Sequence, residues 1–296
     1  MLNRWIGILT GFFMILANAA IIYRDVLPGW LAGDPPPSEA RLLQPGEHRA
    51  VQVGIYDAHG RTVGTSWTLS NRVGEAGTVA VKTTTLLEPI FLPGGITTPR
   101  VSIETGVNYS GTTGAVDTLD FKMFGLGIPI SLRCEAMPSG EFPCDWQVGA
   151  DTGTLGLDSR VPAALGDVIR PFQRLPNLYV GRSWRLDLLD PLARILPQLG
   201  QTGLALEPVV IRVTGRQKIE HQGTLVDAFV VESGDTVAWA APDGRVLRQE
   251  VTLPLLGKLI LLDEPYDEHA HRAATWATTN RSGPNDNPSA GEQDQE

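Results

Sequence analysis

Short runs rich in Val, Ile, Thr and aromatic residues, broken by Gly, Pro and Asp, fill the chain from His48 to about Leu262. Such runs predict strands rather than helices. They cover residues 50–56, 63–70, 78–86, 116–121, 127–134, 142–148, 183–188, 209–213, 225–232, 236–240 and 246–253. Asp57-Ala58-His59-Gly60 and Pro242-Asp243-Gly244 each separate two runs, as hairpin turns in which Gly supplies a positive φ. Three helical pieces interrupt this pattern. Residues 159–170 end against Pro171. Asp190-Pro191 offers an N-cap with Pro at the first helical position, and Leu192, Ile195, Leu196 and Leu199 then share one face. Asp263 or Glu264 is placed to cap a helix over 265–277, with Glu268–Arg272 as an i,i+4 pair. The fold class expected is mainly β: one twisted, mostly antiparallel sheet, a half-barrel or open barrel, with a few short covering helices and one N-terminal transmembrane helix.

That last helix is read from Trp5 to Tyr23, 19 residues without a charge. At 1.5 Å per residue it spans roughly 29 Å, about the thickness of a bilayer's hydrocarbon core. Trp5 and Tyr23 sit at its ends, where amphipathic rings prefer the headgroup layer. Two readings stay open. One is an uncleaved anchor with the N-terminus inside. The other is a signal peptide cleaved after Ala19, since Ala17-Asn18-Ala19 fits the small-x-small pattern. Both export the rest of the chain to the outer side of a bacterial inner membrane. The domains expected are an anchor over 1–24, a Pro-rich spacer over 25–47, a β-rich extracytoplasmic domain over 48–277, and a disordered acidic tail over 278–296.

Cysteine usage agrees with export. Cys134 and Cys144 flank a Pro138-Ser139-Gly140 turn with apolar arms on either side. Equal arms put the two sulfurs opposite each other, so a disulfide is expected. A metal site is not, because no His or further Cys nearby completes a tetrahedral set.

Composition narrows the class further. The chain has 296 residues, of which Gly and Pro make up 54, or 18%, against about 12% on average. That argues against long helices after the leader. The net charge is −9. From Asp263 to the end there are eight acids and two Arg, so most of the acidity lies in that C-terminal stretch. No dense basic cluster exists, which argues against a nucleic-acid partner.

No sequence motif names a reaction. G-x-S-x-G and the phosphate-loop patterns are absent. His269-x-His271 lies among acids, yet side chains two apart on a helix diverge by about 200° and do not share an ion. His48, His59 and His221 stand beside turns and read as surface residues. No catalytic residue, metal ligand or cofactor is therefore expected. Apolar density is the stronger signal. A curved sheet under covering helices offers a slot for an apolar ligand, and Trp67, Phe121, Phe124, Trp184, Leu192, Ile195, Leu196 and Trp239 are its candidate lining. Val63-Gly64-Thr65-Ser66-Trp67-Thr68-Leu69 also matches Val180-Gly181-Arg182-Ser183-Trp184-Arg185-Leu186 at five positions of seven. A half-domain duplication and a coincidence both explain it.

Residues 179–262 carry a family likeness. Tyr179-Val180-Gly181-Arg182-Ser183-Trp184 opens one strand. Gly223-Thr224-Leu225-Val226-Asp227-Ala228-Phe229-Val230-Val231-Glu232 forms another. Trp239-Ala240-Ala241-Pro242-Asp243-Gly244-Arg245-Val246-Leu247-Arg248 closes a hairpin. The order resembles the β-rich region that precedes the catalytic domain in bacterial membrane-anchored transglutaminase-like proteins, and the half-barrel of periplasmic lipoprotein-carrier-like proteins. A transglutaminase-like enzyme needs a Cys–His–Asp triad, and none follows here. The resemblance thus implies an accessory domain without the enzyme, or a half-barrel that holds acyl chains. The function expected is a non-enzymatic, membrane-anchored envelope protein binding a lipid-like or other apolar ligand. The alternatives are a protein-interaction scaffold serving a separate envelope enzyme, and an uncharacterised hydrolase.

Overall fold

A computed structural model describes residues 2–22, 32–34, 36–37, 39–72, 77–89, 91–92, 96–125, 127–158, 172–188, 207–234, 236–253 and 257–279. The expected helices over 159–170 and 190–199 lie outside the described residues, as do Leu192, Ile195, Leu196 and the tail from residue 280 on, while Thr278 and Thr279 belong to the C-terminal helix.

Alternating burial builds the strands. In chain order they are β1 His48–Asp57, β2 Thr62–Arg72, β3 Val79–Leu87, β4 Phe91–Leu92, β5 Ile96–Thr97, β6 Val101–Tyr109, β7 Val116–Phe124 and β8 Ile130–Glu135. There follow β9 Glu141–Val148, β10 Asp151–Asp158, β11 Ser183–Leu188, β12 Glu207–His221, β13 Thr224–Ser233, β14 Thr236–Ala240, β15 Val246–Leu253 and β16 Gly257–Glu264. All but β4 and β5 form one 14-stranded sheet, ordered β10-β9-β8-β7-β6-β3-β2-β1-β16-β15-β14-β13-β12-β11. Every strand pair in it is antiparallel. The chain winds outward from β1 to one edge, crosses to the other edge at β11, and returns until β16 lies beside β1. The sheet is open: β10 and β11 do not pair with each other among the described residues.

Curvature is evident from one contact. β12 and β16 are separated by three strands, which in a flat sheet would hold them about 19 Å apart. Yet His221 at the end of β12 comes within 3.4 Å of Asp263 in β16. The second half of the sheet is therefore curled on itself. Two buried clusters fill the interior, and the first draws on β15 and β16 as well as on the first half. Val53, Ile55, Phe121, Leu132, Phe142 and Leu261 belong to one buried cluster. Trp184, Ile211, Val213, Phe229 and Val231 form another, into which Phe172 and Leu175 pack.

Strands β6, β10 and β16 escape the sequence reading, and each has a reason. Val101–Tyr109 alternates Val101, Ile103, Val107 and Tyr109 with Ser102, Glu104, Gly106 and Asn108 but is poor in strong strand formers on that polar face, and Asp151–Asp158 holds two Gly and an Asp at each end. In β16, Leu259 and Leu261 are buried while Ile260 and Leu262 are half-buried, so its leucine run reads as one dense apolar block. The expected hairpin turns appear where the Gly residues place them: Gly60 has φ +77° and Gly244 φ +86°. The cysteine hairpin also forms, with Cys134 opposite Cys144 and the sulfurs bonded at 2.08 Å. Closing a loop of 11 residues is worth about 3 kcal/mol in the chain-entropy model.

Two expectations need correction. The C-terminal helix runs Glu268–Thr279, while Asp263 and Glu264 still belong to β16. Its cap is Asp267, whose Oδ1 accepts from the backbone N–H groups of His269 and Ala270 at 2.9 and 3.0 Å. A strand ladder claims the earlier acids, so the first residue free to cap comes later. The repeat of Gly-x-Ser-Trp also splits: Gly64 lies within β2, whereas Gly181 sits in a turn at φ +90°.

At the N-terminus a helix spans Leu2–Ile21, and a four-residue helix follows at Glu39–Leu42. The described apolar side chains of the first, including Phe12, Phe13, Met14 and Ile15, are exposed. Among the described residues no helix is long and apolar enough to cross a membrane.

Candidate functional site

A cleft of about 350 Å³ opens where the curled second half meets β1 and β16. It is assembled by the segment that begins at Phe172. Phe172 and Leu175 bury their side chains in the second core. The Leu175 N–H donates to the Gly244 carbonyl at 2.8 Å. A Cβ on Gly244 would meet the Leu175 carbonyl oxygen at 2.7 Å, so the β14–β15 turn needs glycine for close approach as well as for its positive φ. This docking sets Arg174 opposite Arg245 in an antiparallel bridge. Arg49, Gln173, Gln222, Asp243, Asp263 and Glu264 also line the cleft.

The charges are unevenly matched. Arg49 pairs with Glu47 at 2.6 Å. Arg245 Nη1 reaches Asp263 Oδ2 at 3.5 Å, and the Asp243 carboxylate accepts the Arg245 backbone N–H at 3.0 Å. The Glu264 carboxylate is engaged on the outer face, by Tyr56 at 2.5 Å and Gln52 at 3.1 Å. Arg174 donates to the neutral Asp243 carbonyl at 3.1 Å, and its Nε is buried without a hydrogen-bond partner. His221 is also buried. Its Nε2 lies within ion-pair reach of Asp263 but is not aligned for a hydrogen bond. One rung deeper on the same sheet face, opposite Leu261, the Gln249 amide is 1% exposed with neither polar atom paired. Each such orphan costs about 1–3 kcal/mol if nothing meets it. Water or another hydrogen-bonding group can meet these atoms.

The opposite face of the sheet carries a second polar cluster. The C-terminal helix, α3 (Glu268–Thr279) once the helices at Leu2–Ile21 and Glu39–Leu42 are counted as α1 and α2, lays His271 on Trp67. Their rings stack 15° from parallel with centroids 5.7 Å apart. Tyr266 Oη and His271 Nδ1 are 2.8 Å apart. Trp67 Nε1 donates to Gln52 Oε1 at 2.9 Å, and the Asp267 N–H donates to the same oxygen at 2.9 Å. The hydrogen bond to Glu264 pushes Tyr56 up to about 12. Burial, then the charge of Lys82, holds His271 below the usual imidazole range. These groups satisfy one another, as a helix-docking cluster does.

The residues expected to line one apolar slot are not brought together. Phe121 lies in the first core and Trp184 in the second. Trp67 faces the other way, under α3. Phe124 is half-buried and sits opposite Ser102, on the face away from the neighbouring Met123, which packs in the core. Trp239 is half-buried, with Arg248 over its ring at 5.3 Å and Gln217 accepting from its Nε1. None of the described five lines the cleft. The structure also corrects the reading of His221 as a surface residue: its side chain is 10% exposed. Nothing local signals this, because its partner lies 42 residues later, brought in by the curl. The one hint at this site in the sequence is the Pro242-Asp243-Gly244-Arg245 turn.

No family model and no curated protein matches the sequence. Among solved structures, the chain is similar to a β-barrel-like protein of domain of unknown function DUF1849 from Brucella abortus. The identity is 8% and the TM-score 0.42, over 76% of this chain and 100% of that one. These comparisons do not carry the resemblance to transglutaminase-associated or lipoprotein-carrier-like regions. What stands is the open, antiparallel β-sheet itself, with its disulfide.

Proposed function

We propose that this chain is a non-enzymatic envelope binding module, tethered to the inner membrane by its N-terminal helix, whose curled sheet holds a lipid-like or similar amphipathic ligand by its polar end. The observation that carries the reading is the cleft, with buried and unpaired polar atoms of Arg174 and His221 at or beside it. Apolar candidates packed into two cores argue that the described part of the site recognises a polar group rather than an acyl chain. The Cys134–Cys144 disulfide supports an oxidising compartment. The uncharged run Trp5–Tyr23 supports the tether.

The test is native extraction of the full chain in a mild non-ionic detergent, with mass spectrometry of whatever co-purifies. A defined small molecule in stoichiometric amount is expected. Recovery of none, with no uptake from an envelope extract, overturns the reading. A second reading, a scaffold for another envelope protein, is favoured by one feature: among the described residues, the outer edge of β10 pairs with no strand. An edge of that kind accepts an added strand. Protein captured in place of a small molecule would favour it.

A further inference from the structure

Building on that binding-module reading, we infer that the ligand presents an oxyanion, a carboxylate or a phosphate, to Arg174 and Arg245. The two arginines occupy directly opposed positions of one bridge. Like charges placed so close repel unless anions lie between them. Arg245 has Asp263. Among the described residues no carboxylate pairs with Arg174, which donates instead to a peptide carbonyl. The Asp243 carboxylate accepts the Arg245 backbone N–H, Glu264 is held by Tyr56 and Gln52 on the far face, and Glu47, paired with Arg49, feels the charge of Arg174 without pairing with it.

The unpaired atom then identifies the chemistry. Arg174 Nε is buried without a hydrogen-bond partner while Nη2 donates to the Asp243 carbonyl, and a guanidinium that turns this edge to a ligand presents two parallel N–H donors, a match for two oxygens of one carboxylate or phosphate. Gln222 on the cleft wall offers an amide group to a ligand's remaining polar atoms. Free phosphate, a carboxylic acid and the phosphate of a lipid headgroup share this chemistry.

Calorimetric titration of the full chain in non-ionic detergent separates them. The probes are inorganic phosphate, acetate, and short-chain phosphatidic acid and phosphatidylglycerol. At least one is expected to bind, and R174Q should weaken it about tenfold or more, the loss of one charge-assisted fork. R174K should lie between, keeping the charge but losing the fork. R216Q, which breaks an exposed pair with Asp227 on another part of the sheet, should bind as wild type. Thermal melts of each variant report folding. Preference for the lipids over phosphate assigns a headgroup; the reverse assigns a free anion. Equal affinity in wild type and R174Q, or no binding of any probe, overturns the inference. If mass spectrometry still finds a co-purified neutral ligand, the binding module survives and only the oxyanion falls. If it finds nothing, both fall.

Discussion

His271 sits 9% exposed, its ring flat on Trp67, and that placement makes the stability of the fold depend on pH. Burial lowers its pKa in the folded state, whereas in the unfolded chain it titrates near the ordinary value of about 6.5. The folded state thus binds that proton less readily, so stability is full above about 6.5, falls as pH drops from there toward the folded value, and levels off below it. His271→Phe keeps a ring on Trp67 and removes the titration. Urea midpoints at about pH 7.5 and 5.5, either side of the ordinary imidazole value, should differ less in this variant than in wild type. An unchanged difference would mean that another group carries the acid sensitivity. The sequence places His271 at a solvated helix start, because nothing local announces the tryptophan of a distant strand beneath it. Trp67, Phe121 and Trp184 meet the same limit. Each is legible as buried, since an aromatic in an alternating run seeks an interior. Which interior is not legible, because two cores and a helix-covered outer face compete for them.

At the scale of elements, two predictions test how the helix and the cysteine hairpin are held. Asp267→Ala removes two N-terminal hydrogen bonds and should cost about 1 kcal/mol. Since α3 lies over Trp67, the loss should appear as a shift in tryptophan fluorescence at lower urea. A spectrum and midpoint equal to wild type would place the cap elsewhere. Reducing the Cys134–Cys144 bridge should lower stability by about 3 kcal/mol. Because β8 and β9 lie near the sheet edge, that loss should register first in amide exchange of β8 to β10. Loss of exchange protection in β11 to β13 first would contradict this placement. Most strands and tight turns are legible from alternation and from Gly at positive φ, and the cysteine hairpin from equal arms about a turn. The helix start is not, because a β-ladder takes Asp263 and Glu264 before capping can compete for them. Nor is the cleft, whose Arg174, Gln222, Arg245 and Asp263 meet only when the second half curls.

For the molecule as a whole, the sheet order makes one seam decisive. The winding places the first and last strands side by side, so the ladder that joins the two curled halves runs through β1 and β16. Gly54 marks how tight that seam is: a Cβ there would collide with the Glu264 carboxylate and meet the Tyr56 ring at 2.8 Å. Glycine there leaves room for the Glu264 carboxylate beside the Tyr56 ring and has no positive φ. Gly54→Val should therefore overpack the seam and cost about 1–3 kcal/mol. If the sheet is one cooperative unit, the first-half and second-half probes must move together. Far-UV signal, Trp67 emission and Trp239 emission (isolated in single-tryptophan variants) should then fall in one coincident urea transition, in wild type and in Gly54→Val alike. Two separated transitions in the wild type would show that the halves are independent domains. The cleft would then be a site between domains, and its Arg174–Arg245 pair would owe its alignment to the second half alone, where both residues reside.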